Sequence, residues 1–375
     1  MRIAILGAGP AGLYLSFLLK RRRPEADITV IEQNPADATF GFGVVFSDRA
    51  LEFLREDDEP TYAAIVPQME SWNDITLVHR GERIVIDGVG FAAIGRLKLL
   101  QLLQERALSV GIAPIYRRTV DTLDELTGFD LIVGADGVNS LVRRTHAEQF
   151  GASVCYLTNR FAWFGTGKRF ETLTQTFIAT DLGHFNAHHY RFTPDLSTFI
   201  VEVDAPTFER AGFAKMSEQD ARAVCERVFA DALGGHPLIS NNSIWRRFPL
   251  VRNERWSYGN HVLLGDALHT AHFSIGSGTR LAMEDAIALD KALATHKDDL
   301  PTALQAYEAA RRPILDKLVA GANGSGEWYE HFAEHMKLSP VDFAMSYIIR
   351  SGRINIERLR KLSPRFVERF ERERG

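Results

Sequence analysis

Apolar positions along the chain change spacing from one stretch to the next, and the spacing predicts the elements. Arg2–Leu6 is a short apolar run of strand type, residues 11–23 follow helical spacing, and residues 28–32 alternate with β-branched side chains. Together they predict a β-α-β opening. In residues 96–110 the apolar positions Leu99, Leu100, Leu102, Leu103 and Ala107 define one helix face. Residues 130–134 form an apolar strand that ends in a Gly-Ala-Asp-Gly turn. From about residue 153 to 204, aromatic and β-branched residues crowd between turn residues, which predicts an antiparallel sheet. Residues 217–233 read as a helix capped by Ser217. Residues 261–264 read as a further strand, followed by a helix over 279–295. The chain from residue 300 onward is amphipathic and helical in pattern. The dinucleotide-type elements therefore come in three separated pieces, with the aromatic sheet inserted between the second and the third.

Glycines sharpen the opening. Gly7-Ala8-Gly9-Pro10-Ala11-Gly12 lies between strand and helix. There the first glycine permits a tight turn, the second lets backbone approach a pyrophosphate, and the third lets helix and strand pack. N–H groups at the helix start hold negative charge. Glu32 lies twenty residues beyond Gly12, at the end of the second strand, where a carboxylate is able to accept from ribose hydroxyls. This arrangement predicts dinucleotide binding without separating NAD from FAD.

Composition narrows the class. The chain has 375 residues, enough for two or three packed subdomains, with 45% hydrophobic and 25% charged residues. A net charge of -4 gives no overall attraction to nucleic acid. Cys155 and Cys225 are the two cysteines, without CxxC spacing, and no HxH or HExxH occurs, so neither a disulfide scaffold nor a metal site is expected. The apolar start is interrupted by glycines and followed, not preceded, by Lys20, Arg21, Arg22 and Arg23, so it does not read as a signal peptide. That basic run reads as a helix C-terminus in solvent, with phosphate binding as the alternative. No run approaches a membrane span, and a cytoplasmic location is expected.

Two further motifs carry a resemblance. Asp130-Leu131-Ile132-Val133-Gly134-Ala135-Asp136-Gly137, continuing to Ser140 and Arg143, resembles the DG motif of the group A flavoprotein aromatic hydroxylases, which have the p-hydroxybenzoate hydroxylase fold. His261-Val262-Leu263-Leu264-Gly265-Asp266-Ala267 resembles their GD motif. The resemblance spans most of the chain. It implies an α/β fold: a Rossmann-like FAD-binding domain with an inserted, mainly antiparallel β-sheet substrate domain and C-terminal helices. The expected division gives residues 1–70, 96–152 and 256–325 to FAD, 71–95 and 153–255 to the substrate, and 326–375 to a helical segment. It further implies that Asp266 binds the ribityl chain, that Gly276 and Gly278 lie beneath the flavin, and that Arg96, Asp136, Gly43 and Val44 join Gly7, Gly9, Ala11, Gly12 and Glu32 around FAD. Residues 41–48, 187–190, 197–202 and 269–279 look like those of a narrower group, the aryl-CoA hydroxylases typified by salicylyl-CoA 5-hydroxylase and the monooxygenase half of 2-aminobenzoyl-CoA monooxygenase/reductase. The tryptophan hydroxylase of violacein biosynthesis shares several of these strings. The wider family usually has a proline and Gly-Gln-Gly where this chain has Phe273-Ser274-Ile275-Gly276-Ser277-Gly278. Without the second domain of the bifunctional relatives, ring reduction is not expected.

The resemblance implies FAD as cofactor, NADH or NADPH as transient reductant, O2 as co-substrate, and hydroxylation of an aryl-CoA thioester such as salicylyl-CoA, at its 5-position, or 2-aminobenzoyl-CoA. A free acid or a tryptophan-derived substrate is the alternative, and an FAD-linked dehydrogenase without oxygen insertion is the rival of another class. His188 and Tyr190 share one strand face, so they form either a polar pair within an aromatic pocket or part of a hydrogen-bonded core. His272, in the loop after Asp266, could face the reacting edge. Trp163 and Phe164 read first as core. Arg160, Lys168, Arg169 and Arg191 flank the sheet, where they are able to meet CoA phosphates or remain ordinary solvated charge.

Overall fold

The computed structural model describes residues 1–39, 41–47 and 51–374; Asp48, in the string 41–48, lies outside the described residues. The first sheet has the order Ser257–Tyr258, His261–Leu263, Leu131–Gly134, Arg2–Leu6, Asp27–Ile31. The last four run parallel, with Ile5 opposite both Val30 and Val133 and Val262 also opposite Val133; Ser257–Tyr258 closes the edge as an antiparallel hairpin. Parallel strands covered on both faces need apolar side chains throughout, and Ile3, Ala4, Ile5, Leu131 and Val133 are fully buried. The helix Pro10–Arg22 is buried from Ala11 to Leu19 because the helices Gly278–Thr295 and Arg96–Ser109 both pack against it. Its basic end is structural. Lys20 donates to the carbonyls of Pro24 (2.7 Å) and Ala26 (2.8 Å), Arg21 pairs with buried Asp58 (2.8 Å), and Arg22 pairs with buried Asp290 (2.8 Å).

The second sheet has seven strands: Leu238–Ile239, Arg160–Thr166, Ser197–Val203, Gly183–Arg191, Leu173–Thr180, Ile75–His79 and Glu82–Ile86. All neighbours are antiparallel except Leu173–Thr180 with Ile75–His79, which run parallel. The strand Ala152–Tyr156, expected to begin this sheet, instead pairs with Pro249–Asn253 in a two-stranded sheet of its own. One face of the seven-stranded sheet is sealed by a core of Phe164, Phe185, Phe199, Phe213 and Phe229. That core also interrupts the helix expected over 217–233, which breaks at Phe229 into Glu218–Val228 and Ala230–Leu233. A three-stranded sheet, Gly43–Ser47, Phe91–Gly95 and Glu70–Trp72, joins residues on both sides of the expected 70/71 division.

The helix Leu300–Glu330 starts against the first sheet's helices and ends, through Trp328 and Tyr329, in the core that binds the second sheet to the helix Pro340–Ile349. The expected 325/326 division falls inside it. Mixed helix and strand with a parallel sheet, an antiparallel sheet and a helical C-terminal region is the architecture expected above.

Candidate active site

Three loops converge at the C-terminal ends of the parallel strands. Gly7 has φ +98°, and a Cβ there would stand 2.3 Å from the Ala135 carbonyl oxygen; a Cβ on Gly12 would stand 2.0 Å from that of Gly7. Both approaches require glycine. Gly9 faces open space. Glu32 accepts from the Ala8 N–H (2.9 Å) and from the Asn34 backbone and side-chain nitrogens (2.8 Å each), so its carboxylate holds the glycine loop in place. In the second loop Asp136 accepts from Leu141 N–H at 2.7 Å, while its other oxygen is buried without a partner among the described residues. Burial raises its pKa. Arg143, also buried, donates to Val138 O and to Ala267 O (2.9 Å), tying the second loop to the third. The third loop is held from below by Asp285, which accepts from Gly265 N–H (3.1 Å), His269 (2.7 Å) and Arg311 (2.8 Å); Arg311 also meets Glu284 at 2.7 Å. Burial works against the Asp285 charge, but His269 and Arg311 hold its pKa below the ordinary value.

A cavity of about 900 Å³ lies between these loops and the seven-stranded sheet. Gly9, Ala11, Val44, Arg96, Asp266, Gly276 and Gly278 line it from one side, and Gln175, His188 and Tyr190 from the other, with Phe161, Trp163 and Phe273 among its aromatic walls. Gly7, Gly12, Glu32, Asp136 and Gly43 stand behind the wall. Asp266 is exposed to this cavity; desolvation raises its pKa, and His269 and Arg96 pull it back. Desolvation in turn lowers the pKa of Arg96.

Strand alternation sends Gln175, His188 and Tyr190 to the cavity and His189 to the other face, stacked on Phe199. Trp163 likewise reaches the cavity, while Phe164 enters the core. Tyr190 donates to Gly43 O at 3.0 Å, so its hydroxyl supports the strand that carries Val44; burial raises its pKa. His188 Nδ1 is 2.9 Å from Gln175 Nε2, and His188 Nε2 is 3.3 Å from Glu202 Oε2. Tyr329 donates to Gln175 Oε1 (3.2 Å), and Asn159 Nδ2 to Glu202 Oε1 (3.0 Å). Burial lowers the His188 pKa to about 3 and raises that of Glu202 to about 7. Glu202 and Gln175 were missed as site residues. Glu202 did lie within the string 197–202, and a carboxylate on a strand otherwise made of β-branched and aromatic residues was the available signal.

Two expectations need correction. His272 is not on the cavity wall. It is buried behind Phe273, ring centroids 4.4 Å apart, with its Nδ1 2.7 Å from Ser274 Oγ. Of the four basic residues, only Arg160 lines this cavity, together with Arg246 and Arg247. Lys168 and Arg169 line a second cavity with His189. Arg191 is buried, bound to Glu70 (2.7 Å) and to the carbonyls of Phe170, Glu171 and Ser71. Among the described residues no group of three or more His, Cys, Asp or Glu could hold a metal, and no helix is long and apolar enough to cross a membrane.

A glycine-loop cradle facing an aromatic-walled cavity is the arrangement of a cofactor-dependent enzyme. Residues 109–322 match the family described as FAD binding domain. The chain is 42% identical to salicyloyl-CoA 5-hydroxylase of a Streptomyces species, over 94% of this chain and 70% of that one. It is 36% identical to 3-hydroxy-4-methyl-anthranilyl-[aryl-carrier protein] 5-monooxygenase of Streptosporangium sibiricum, over 88% and 89%. In structure it resembles 2-methyl-3-hydroxypyridine-5-carboxylic acid oxygenase, with a TM-score of 0.73 and 17% identity over 98% and 97% of the two chains. The chain belongs to the FAD-binding aromatic hydroxylase family: it is a single-component, flavin-dependent monooxygenase that uses O2 on an aromatic substrate.

Proposed function

We propose that this monooxygenase hydroxylates an aryl group carried as a CoA thioester, salicylyl-CoA at its 5-position or 2-aminobenzoyl-CoA, with NADH or NADPH as reductant. In this reading residues 1–70, 96–152 and 256–325 bind FAD, residues 71–95 and 153–255 bind substrate, and residues 326–375 buttress the substrate sheet.

The cradle fits the flavin cofactor. Gly9 presents backbone to open space, and Asp266 and Arg96 face the cavity. Gly9, Ala11, Val44, Arg96, Asp266, Gly276 and Gly278 would touch FAD, with Gly7, Gly12, Glu32, Asp136 and Gly43 shaping the loops behind them. When bound and reduced, FAD supplies activated oxygen as an electrophile. The chain's own residues do the rest. Phe161, Trp163 and Phe273 keep water from the ring. Gln175 and His188 orient its donor group, and Tyr190 fixes the neighbouring strand. His272 is assigned a supporting place behind Phe273 rather than contact with the ring.

The observation that carries the thioester is the set Arg160, Arg246 and Arg247 on the wall of the same cavity. Their charge suits the phosphates of a CoA arm in a protein that is otherwise net negative. The two relatives named above, whose names specify a CoA thioester and a carrier-protein substrate, support the same reading. NAD(P)H oxidation is expected to rise far more with salicylyl-CoA than with salicylate, and the difference should shrink as salt is added. Comparable hydroxylation of the free acid would reject the thioester.

A further inference from the structure

The buried cluster beneath the cavity wall has a defined direction. Tyr329 donates to Gln175 Oε1, which leaves the Gln175 amide nitrogen as the donor to His188 Nδ1. Nδ1 is then the acceptor of the ring and Nε2 carries the hydrogen, pointing at Glu202. Register explains the alignment. Gln175 lies directly opposite His188, and Glu202 lies two pairs along, opposite Asn186, and so on the same face. Glu202 is 2% exposed and does not itself line the cavity. A buried carboxylate is costly in a sheet unless something uses its charge. Among the described residues its hydrogen-bond partners are His188 and Asn159.

We propose that Glu202 positions His188 as a proton acceptor, fixing the tautomer with Nδ1 as the accepting nitrogen and balancing the imidazolium when the substrate's ring hydroxyl gives up its proton. This rests on the reading that His188 meets that hydroxyl. In the step, Gln175, which also lines the cavity, yields Nδ1 to the substrate. The proton passes from the ring hydroxyl oxygen to Nδ1, the O–H pair stays on oxygen as phenolate density, and Nε2–H donates to the Glu202 carboxylate. No electrons change hands, and the proton returns when product leaves. The logic is that of a carboxylate holding a histidine in the right tautomer.

The surroundings set the pH range. His188 faces Tyr329, stacked at 4.9 Å, and feels Arg350; Glu202 feels His272, Asn159 and Glu330. Arg350 is engaged with Ser325, Ser274 O and Tyr347 O, and burial keeps the His272 ring uncharged by lowering its pKa to about 4. Burial raises the Glu202 pKa to about 7 and lowers that of His188 to about 3, so the imidazole is neutral at rest and takes up a proton only beside an ionised Glu202; coupling is expected to rise as that carboxylate forms.

The test uses FAD-loaded enzyme, NADH and salicylyl-CoA, and reads hydroxylated product against H2O2 from about pH 6 to 8. Wild type should gain coupling as the pH rises. Glu202→Gln keeps the size and an acceptor but not the charge. It should retain the flavin spectrum and its reduction rate, lose coupling about tenfold or more, and lose the rise with pH. Glu202→Asp should restore part of both. His188→Gln should show the same loss, with the double variant no worse than the single ones. A Glu202→Gln enzyme that couples like wild type beside a defective His188→Gln would make Glu202 structural. Full coupling in His188→Gln would instead remove the assignment of His188. Should Glu202→Gln yield no folded holoenzyme, wild type decides: flat coupling over this range overturns the proposal.

Discussion

At single positions, function hangs on where a polar atom points. Asp266 lines the cavity, while neighbouring Asp285 is saturated by Gly265, His269 and Arg311. Asp266→Ala should therefore weaken FAD binding roughly 10- to 100-fold, by about 1–3 kcal/mol, and leave the fold standing. Titration of the apoprotein with FAD reads this, and wild-type affinity would show that Asp266 is not a flavin ligand. Gly7, Gly12 and Glu32 were legible because turn geometry and strand-end carboxylates leave a local spacing. The Glu202–His188 contact was not, because its partners lie on different strands and only the register brings them together. Charge misled for the same reason. Arg191 looks like a free cation in sequence, yet Glu70, over a hundred residues away in the chain, claims it.

At the level of elements, the helices Gly278–Thr295 and Leu300–Glu330 brace the site through one ion cluster. Arg311 alone meets both Glu284 and Asp285, and Asp285 holds the backbone of the Gly265 turn. Removing one partner of a buried pair strands the other charge, so Arg311→Met should cost about 3–5 kcal/mol in a urea melt and loosen FAD with it. The exposed pair Arg360–Glu371 offers the contrast: its removal should change stability by about 1 kcal/mol or less. Element positions were mostly readable from periodicity, including the Ser217 cap, which accepts from Asp220 N–H at 3.1 Å. Two features were not. The break at Phe229 comes from a core made by distant phenylalanines, and the parallel join between Ile75–His79 and Leu173–Thr180 depends on a pairing across about a hundred residues of chain.

For the whole molecule, burial of neutral histidines governs acid stability. His188 and His189 are held down to about 3 and His272 to about 4 by desolvation, from an ordinary 6.5. As pH falls below 6.5 the unfolded chain binds protons that the folded chain refuses, so stability drops, by up to about 1.4 kcal/mol per pH unit for each group. Glu202 works oppositely: the folded chain keeps a proton that the unfolded chain has released, and that contribution is lost as pH rises from about 4.5 to 7. Three groups outweigh one, so the urea midpoint at constant FAD should fall between about pH 6.5 and 4.5. A midpoint that stays level or rises on acidification would contradict this account. The order of the first sheet has a consequence for how the protein is made. Its strands come from residues 2–31, 131–134 and 257–263, and the cradle is closed only when the last of these slots in beside the second. The helix that carries Arg311 is later still. On the ribosome, the opening glycine loop is made well before the segments that complete it. Such long-range closure is slow and leaves apolar edges open meanwhile. The cradle is therefore a property of pairing between distant segments, and a fragment that stops short of residues 257–263 would lack one wall of it.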